Sequence, residues 1–263
     1  MRYGFIGLGN MATAIIGGMV RSGEFANDTI SGFDISESRR DELKNTFGIT
    51  LFGSEKELTE NSDVVVLAVK PQVISGVFER IAKSLSGRLV ISIAAGKTLS
   101  FLENGLGKDT SIIRVMPNIN ALVAAATSAY TGNEAATDEH KKTAEKIFGT
   151  VGTVVELPEK LFSAFTAIGG SSPAFAYIYI DALAKAGVKH GMSRDMALKV
   201  AASTVFGSAK MVMESGIHPM ELCDRVCSPA GTTIDGVLKL AECGFETAVH
   251  QAINAVVEKD KSL

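Results

Sequence analysis

The chain has 263 residues, with 26 basic and 29 acidic side chains and a formal net charge of −3. A hydrophobic share of 46% and a charged share of 21% give a globular composition, enough for one large or two modest domains. The near balance of charge gives no electrostatic reason to expect nucleic acid or an anionic membrane as a partner.

The cysteines and the N-terminus favour a cytoplasmic protein. Cys223, Cys227 and Cys243 are odd in number and lack Cys-x-x-Cys spacing, which favours reduced thiols over a disulfide or a zinc site. The N-terminus shows no basic segment and no cleavage site of a signal peptide. The longest apolar stretches are interrupted by Asp, Lys or Gly before membrane-spanning length. We therefore expect a soluble cytoplasmic protein with no membrane partner.

The first residues carry a dinucleotide-binding pattern. An apolar run over residues 3–6 leads into Gly7-x-Gly9-x-x-Ala12, and a helical pattern follows. In this pattern Gly7 permits the tight turn, Gly9 lets the backbone approach a pyrophosphate, and Ala12 keeps helix and strand close. The phosphates then meet the free N–H groups at the start of the helix.

Residues 1–157 alternate strand and helix patterns, which predicts a Rossmann-type, doubly wound parallel sheet. The predicted strands are Tyr3–Ile6, Thr29–Phe33, Val64–Val69, Leu89–Ile93 and Ile112–Met116, with edge strands at Thr127–Thr131 and Thr153–Leu157. The helices between them are predicted at Ser36–Phe47, Ser54–Asn61, Gln72–Leu85, Thr98–Leu106 and Asp138–Phe148.

Residues 158–263 are predicted to form an all-α domain. The predicted helices are Glu159–Ile168, Pro173–His190, Arg194–Ser215, Pro219–Val226, Thr232–Glu242 and Phe245–Lys259. The stretch from Pro173 to Val188 is apolar on nearly every side, so it requires cover all round. A domain of this size can hardly enclose it alone, which predicts a subunit interface.

The end of the second strand bears on the choice of cofactor. Asp34 lies about twenty residues past the glycines, where an acid binds the adenosine ribose and favours NAD. Ser36, Ser38, Arg39 and Arg40 follow at once, and these residue types suit a 2′-phosphate. The sequence alone does not decide between NAD and a cofactor with a 2′-phosphate. We favour NADPH, with NADH as the alternative, because biosynthetic reductions usually draw on NADPH.

Three other predicted strand ends fit a cofactor trough, because ligands of open α/β sheets lie beyond the carboxyl ends of the strands. The segment Ala68–Gln72 contains the cation Lys70 and the turn residue Pro71. Small or polar residues follow the next two strands, over Ser92–Lys97 and Arg114–Asn118.

A loop of small residues in the helical half, Ser228–Thr233, opens directly into a predicted helix. Free N–H groups, a helix dipole and two hydroxyls at the first turn predict an anion site. A carboxylate is the natural guest, since no cluster of lysines or arginines suited to a phosphate accompanies the loop.

Other catalytic patterns are missing from the sequence. Its four histidines lie outside the strand ends and glycine-rich motifs, which argues against a dehydrogenase with a histidine acid. We find no metal-ligand spacing, so no metal is predicted, and no Ser-His-Asp pattern.

Taken together, these stretches resemble the pyrroline-5-carboxylate reductase family over almost the whole chain. The segments that carry the resemblance are Gly4–Ala12, Ala68–Gln72, Ala94–Lys97, Arg114–Asn118, Ser171–Phe175 and Ser228–Gly236. The last is the most specific, since the family's signature centres on Gly231-Thr232-Thr233. The resemblance implies a Rossmann domain, a helical dimerisation domain and often rings of dimers.

The resemblance also assigns roles to residues. It places Gly7, Leu8, Gly9, Asn10 and Met11 around the pyrophosphate, and Ser36 with Arg39 near the 2′-phosphate. Along the cofactor it places Ala68, Val69, Lys70, Pro71 and Ala95. The substrate is assigned to Glu159, Ser228, Gly231, Thr232 and Thr233, with Thr233 hydrogen-bonded to the ring nitrogen as the catalytic residue.

The chain departs from the family's pattern at three positions. Asp34 stands where many NADP-using members have a small polar residue, which clouds the choice of cofactor. Ala230 replaces a usual glycine in the substrate loop, and Ser172 replaces a glycine common before Pro173. The last two changes affect tuning more than the type of reaction.

The activity implied is reduction of 1-pyrroline-5-carboxylate to L-proline by hydride from NAD(P)H. A cyclic imine can arrive protonated, so a site that binds its carboxylate needs no strong acid. The closest rival is a 3-hydroxyacid dehydrogenase, whose opening glycine motif is very similar. That family needs a lysine on a glycine-rich helix, and Lys185 lacks the glycine run before it. A non-catalytic nucleotide sensor on the same fold is the other alternative.

Overall fold

The computed structural model describes residues 1–261, which divide into two compact units. The first comprises Met1–Gly170 with residues 259–261, and the second comprises Ser171–Glu258.

The first unit is built on a sheet of eight strands within the described residues. The strands are β1 Arg2–Ile6, β2 Thr29–Phe33, β3 Thr50–Leu51, β4 Val64–Leu67, β5 Leu89–Ser92, β6 Ser111–Met116, β7 Ala126–Gly132 and β8 Gly152–Glu156. Their order is β3-β2-β1-β4-β5-β6-β7-β8. All neighbouring strands are parallel except the antiparallel pair β6 and β7. The chain reverses its direction of travel across the sheet between β1 and β4, so the topological switch point lies there.

Helices cover both faces of this sheet. They are α1 Asn10–Ser22, α2 Glu37–Phe47, α3 Glu55–Glu60, α4 Ile74–Ile81, α5 Leu99–Leu106 and α6 Asp138–Gly149. Val64 and Val66 of β4 join one buried cluster, whereas Val65 and Leu67 join the other. The uninterrupted apolar run of β4 therefore follows from its position between two covered faces. The predicted Rossmann-type sheet is confirmed.

The second half contains α7 Phe162–Phe165, α8 Ser172–Lys189, α9 Arg194–Ser215, α10 Pro219–Val226, α11 Thr232–Glu242 and α12 Phe245–Lys261. Helices α8 and α9 pack through small side chains, with Ala184, Ala197 and Ala201 buried. Gly187 permits this approach, because a Cβ there would lie 3.1 Å from the Cβ of Ala197. The all-α character predicted for this half is confirmed.

Several elements differ from the sequence predictions. The two-residue strand β3 is too short to give a periodic pattern. The helix predicted over residues 159–168 is instead a 3₁₀ turn at Glu159–Leu161, the single turn α7, and a π-helical turn at Thr166–Ser171. Gly169 lies in that wide turn, and a Cβ there would lie 2.7 Å from the ring of Phe165.

Two helical stretches, Glu159–Lys189 and Arg194–Ser215, are long and apolar enough to cross a membrane by length and composition alone. Both stretches reach that length only with Gly, Asp or Lys residues within them, such as Asp181 in the first and Lys199 in the second. Large apolar side chains of α8 and α9 lie exposed on the single chain, among them Ile178, Val200, Phe206 and Met213. A subunit interface accounts for exposed side chains of this kind.

Candidate functional site

A cleft of about 770 Å³ opens at the carboxyl ends of β1, β2 and β4, beside the switch point of the sheet. Of the residues predicted for the cofactor, it is lined by Gly7, Gly9, Ala68, Val69 and Lys70. Its other lining residues are Ile6, Phe33, Asp34, Ile35, Glu55, Gln72, Val73, Gly76, Val77 and Arg80.

Gly7 turns the chain from β1 towards α1. Its φ is +93°, which side chains rarely adopt, and a Cβ there would lie 2.6 Å from the carbonyl oxygen of Ala68. Its N–H donates to the carbonyl of Phe33 at 2.8 Å. This position therefore requires glycine both for its conformation and for the close approach of β4.

Helix α1 starts at Gly9 without a side-chain cap and without an acidic residue in its first turn. A Cβ on Gly9 would meet no protein atom within 4 Å, so the space in front of the helix start is open. The first N–H groups of a helix have no intrahelical acceptor, and no side-chain cap satisfies those of α1. The geometry fits a dinucleotide pyrophosphate, which needs backbone donors and close approach.

The remaining residues predicted around the pyrophosphate contribute backbone rather than side chains to the turn. The Leu8 side chain is fully buried in the core, and Met11 packs against the same cluster. Asn10 is the first residue of α1 and is exposed.

Asp34, directly after β2, is tied to the glycine turn. Its Oδ2 accepts the N–H of Leu8 at 2.7 Å, and its Oδ1 accepts the N–H of Ser36 at 2.8 Å. Arg39 donates from Nε and Nη2 to the carbonyl of Leu8, at 3.1 and 2.9 Å. Ser36 and Arg39 lie next to the cleft but outside its lining.

Of the predicted residues beyond β4 and β5, some line the cleft and others lie outside its lining. Lys70 is exposed at the cleft, and its carbonyl accepts the N–H of Val73 at 3.1 Å. Pro71 and Ala95 do not line the cleft, although Ala95 lies exposed just past β5. Beyond β6, the buried Asn118 donates from Nδ2 to the carbonyl of Gly169 at 2.9 Å.

Sequence reasoning missed the wall of the cleft formed by α3 and α4. Glu55 and Arg80 lie there, with Nη2 of Arg80 2.8 Å from Oε1 of Glu55. No local pattern marks this pair, because its members are separated along the chain and belong to different helices. The helix that follows the switch-point strand was the available signal, since its first turns border the crevice.

In the second unit, the loop between α10 and α11 has the form predicted for an anion site. Gly231 precedes the first residue of α11, and no side chain caps the helix. The N–H of Gly231 donates to the carbonyl of Ser228 at 3.0 Å, and a Cβ there would lie 2.3 Å from Oγ of Ser228. Thr232 and Thr233 are exposed at the helix start. The N–H groups of Thr232 and Thr233, in the first turn of α11, thus have neither an intrahelical acceptor nor a side-chain cap.

Two further details of this loop bear on its chemistry. Ala230 adopts a φ of 55°, a conformation that glycine accommodates without strain. Cys227 directly precedes Ser228, the first residue of this loop. Burial raises the pKa of the Cys227 thiol, and a hydrogen bond with Cys223 raises it further. Cys227 therefore stays protonated and is a weak nucleophile near neutral pH.

Glu159 occupies a position within the first unit. Its Oε1 accepts the N–H of Leu99 at 2.7 Å and lies 2.8 Å from Nη1 of Arg114. Its carboxylate has protein partners here, and the predicted substrate contact stays a prediction.

Residues that other mechanisms need are not assembled. Lys185, the residue considered for a hydroxyacid dehydrogenase, is exposed on α8 and forms an ion pair with Asp181 at 2.7 Å. Among residues 1–261, no group of three or more His, Cys, Asp or Glu side chains is placed to hold a metal ion.

Known proteins resemble the chain along its whole length. Residues 159–263 match the family model described as pyrroline-5-carboxylate reductase dimerisation, and residues 2–96 match the model described as NADP oxidoreductase coenzyme F420-dependent. The pyrroline-5-carboxylate reductase of Methanosarcina acetivorans is 42% identical over 100% of this chain and 97% of its own length.

Solved structures agree. A pyrroline-5-carboxylate reductase from Coxiella burnetii superposes with a TM-score of 0.93 at 32% identity, covering 99% of this chain and 97% of its own. A Plasmodium falciparum pyrroline carboxylate reductase with NADP bound superposes with a TM-score of 0.85 at 32% identity, covering 100% and 97%.

Proposed function

The chain belongs to the pyrroline-5-carboxylate reductase family, and we propose that it transfers hydride from NAD(P)H to the C=N carbon of 1-pyrroline-5-carboxylate, giving L-proline. This is the last step of proline biosynthesis. The observation that carries the proposal is the uncapped start of α11 at Gly231-Thr232-Thr233, in a chain 42% identical to a reductase over its full length.

The cofactor is assigned to the first unit. Gly7 and Leu8 form the turn before α1, and the N–H groups of Gly9, Asn10 and Met11 at the start of that helix would hold the pyrophosphate. Ala68, Val69, Lys70, Pro71 and Ala95 would contact the rest of the dinucleotide, and Ser36 and Arg39 would lie at its adenosine end. When bound, the reduced nicotinamide supplies the hydride. We assign residues 1–157 to this role and residues 158–263 to substrate binding and dimerisation.

The substrate is assigned to the loop before α11. Its carboxylate would accept hydrogen bonds from the N–H groups of Thr232 and Thr233, with the Gly231 backbone and the Ser228 hydroxyl beside them. This arrangement neutralises the carboxylate without a cationic side chain that would repel a protonated imine. Glu159 is assigned a place near the substrate on the strength of the family resemblance.

Thr233 is assigned the catalytic role. Its hydroxyl hydrogen-bonds to the ring nitrogen and so orients the C=N bond, whose carbon is the hydride acceptor. As hydride arrives, the nitrogen's positive charge is discharged and its proton remains on the product amine. No strong acid is needed when the imine enters protonated.

The partners and location follow from the same assignment. The enzyme acts on a small molecule and self-associates through its helical half, as a homodimer or a ring of dimers. The exposed apolar side chains of α8 and α9 would be buried in that subunit interface. We assign it to the cytoplasm, with no nucleic-acid or membrane partner.

A steady-state assay separates this activity from its rivals. Purified protein is given 1-pyrroline-5-carboxylate with NADPH or NADH, and separately a series of 3-hydroxyacids with NAD⁺ or NADP⁺. Reduction of the imine with formation of proline is expected, without oxidation of the hydroxyacids. Protein that binds the dinucleotide but consumes none of it with the imine would overturn the proposal.

A further inference from the structure

The end of β2 offers two kinds of partner to the adenosine half of a dinucleotide. The carboxylate of Asp34 suits the hydroxyls of an unmodified ribose, whereas Ser36, Arg39 and Arg40 suit a 2′-phosphate. We propose that Asp34 sets the cofactor preference of this chain, so that NADH binds more tightly than NADPH while both are accepted, which reverses the order favoured from the sequence. The inference rests on the proposed use of a nicotinamide dinucleotide.

Asp34 is held at the lining of the cleft by backbone donors. The N–H groups of Leu8 and Ser36 each donate to a different carboxylate oxygen, at 2.7 and 2.8 Å. An ionised carboxylate has about four lone-pair sites, so each oxygen keeps a site for a ribose hydroxyl. The carboxylate is therefore both fixed in place and able to accept.

The guanidinium of Arg39 already donates hydrogen bonds to other residues of the protein. Besides the two bonds to the carbonyl of Leu8, its Nη2 donates to Oγ1 of Thr13 at 3.0 Å, and its Nη1 donates to Oε2 of Glu42 at 2.6 Å. All three guanidinium nitrogens thus have protein acceptors. Binding a phosphate would require this arginine to exchange contacts that tie α2 to the glycine turn.

Arg40 and the serines are partly engaged as well. Nη1 of Arg40 donates to the carbonyl of Asp34 at 2.6 Å, and its guanidinium carbon lies 6.0 Å from the ring centroid of Phe33. The hydroxyls of Ser36 and Ser38 lie 3.0 Å apart in a mutual hydrogen bond. Arg40 keeps donors without a described acceptor, and its charge accounts for continued acceptance of NADPH.

Charge decides between the two ligands. A phosphate monoester carries roughly −1.5 to −2 charges at pH 7, and here it would stand beside the fixed carboxylate of Asp34. A ribose hydroxyl instead donates a hydrogen bond to the same carboxylate. Specificity of this kind arises as much from repulsion of the wrong ligand as from attraction of the right one.

Calorimetric titration of the unmodified protein provides the first test. NADH and NADPH are titrated separately without substrate, and 5′-AMP is compared with adenosine 2′,5′-bisphosphate, which isolates the contribution of the 2′-phosphate. We expect roughly tenfold tighter binding of NADH and the same order for the two adenosine ligands. Equal or tighter binding of NADPH would overturn this inference and leave the proposed function intact. Failure of both dinucleotides to bind folded protein would overturn both.

The second test changes the carboxylate. In Asp34→Asn the ratio of the two dissociation constants is expected to move about tenfold towards NADPH. The matched control, Glu37→Gln, removes one negative charge from the exposed first turn of α2 and is expected to leave the ratio within about twofold. An equal shift in both variants would assign the effect to net charge and contradict the role of Asp34. Thermal unfolding checks that each variant is folded, and the titrations of the unmodified protein stand apart from both.

Discussion

Nη1 of Arg114 lies 2.8 Å from Oε1 of Glu159, joining β6 to the 3₁₀ turn that follows β8. The Arg114 side chain is only 11% exposed, and its guanidinium carbon lies 4.3 Å from the ring centroid of Phe162. The same carboxylate oxygen also accepts the N–H of Leu99. One carboxylate therefore connects three segments of the first unit.

We expect Glu159→Gln to lower the free energy of unfolding by about 2 kcal/mol, because it leaves the largely buried charge of Arg114 without its counter-ion. Urea unfolding followed by circular dichroism measures the loss. The matched control is Glu156→Gln, which breaks the exposed pair with Lys141 and is expected to cost less than about 1 kcal/mol. Equal losses would contradict the connecting role. A large rise in KM for the imine would support the substrate contact assigned to Glu159.

The two glycines of the N-terminal turn are predicted to respond differently to alanine. Gly7→Ala places a side chain at a positive φ and against the carbonyl of Ala68, and we expect it to cost about 2–3 kcal/mol of stability. Gly9→Ala meets no protein atom, so its stability should change by less than about 0.5 kcal/mol while dinucleotide binding weakens at least tenfold. Unfolding curves and calorimetric titrations measure the two effects. Tight dinucleotide binding by Gly9→Ala would remove that residue from the pyrophosphate site.

Thr233→Ala is expected to lower kcat at least tenfold, which is about 1.4 kcal/mol in the barrier, because it removes the hydroxyl assigned to the substrate nitrogen. Thr233→Ser keeps the hydroxyl and should retain most of the activity. Steady-state rates with 1-pyrroline-5-carboxylate decide the matter. Unchanged rates in the alanine variant would remove Thr233 from the mechanism.

Ala230 adopts a left-handed conformation directly before Gly231, the residue that precedes α11. We expect Ala230→Val to destabilise the protein by about 2 kcal/mol, since a β-branched side chain tolerates this conformation poorly. Ala230→Gly relieves the strain but gains flexibility when unfolded, so its stability should stay within about 1 kcal/mol of the unmodified protein. The melting temperatures of the two variants test this order, which a stable Ala230→Val would contradict.

Tyr3 gives a pH dependence with a defined sign. The residue is 2% exposed, and its ring packs edge-on against Phe25. Burial raises the pKa of its hydroxyl to about 12, with smaller contributions from Asp28 and Asp63. Unfolded chains ionise tyrosine near pH 10, so this contribution is complete below pH 10 and is lost as the pH rises through about 12. The loss amounts to about 3 kcal/mol at most.

Urea midpoints at pH 9 and pH 11.5 test this for the unmodified protein and Tyr3→Phe. The phenylalanine variant should lose less stability across the interval, because it has no hydroxyl to ionise at that position. Parallel losses in the two proteins would assign the alkaline destabilisation to other groups.

Elements governed by local periodicity were predictable from the sequence. The bounds of β2 and of α9, α10 and α11 agree with the structure, because turn and capping residues mark their ends. The run of valines in β4 indicated a strand covered on both faces. The π-helical turn at Thr166–Ser171 escaped prediction, since the packing of Phe165 against Gly169 decides it rather than the pattern of apolar residues.

In the candidate sites, the turns that depend on backbone conformation were predictable from the sequence. Gly7 and Gly231 signal their turns directly in the sequence. The engagement of Arg39 with Leu8, and of Glu159 with Arg114, depends on contacts between residues more than thirty positions apart. Residue type alone indicated only that a charged side chain was available. The structure shows which residue each of these charged side chains contacts.

Helices α1 and α11 both begin without a side-chain cap. Where a Ser, Thr, Asp or Asn side chain caps a helix, it contributes about 1 kcal/mol to folding, and α1 and α11 lack that contribution. Under the proposed assignment, a bound pyrophosphate or carboxylate would supply the missing acceptor, and each ligand would complete the first turn of a helix. On that assignment, the resistance of the protein to heat and proteolysis is expected to rise with the concentration of either ligand.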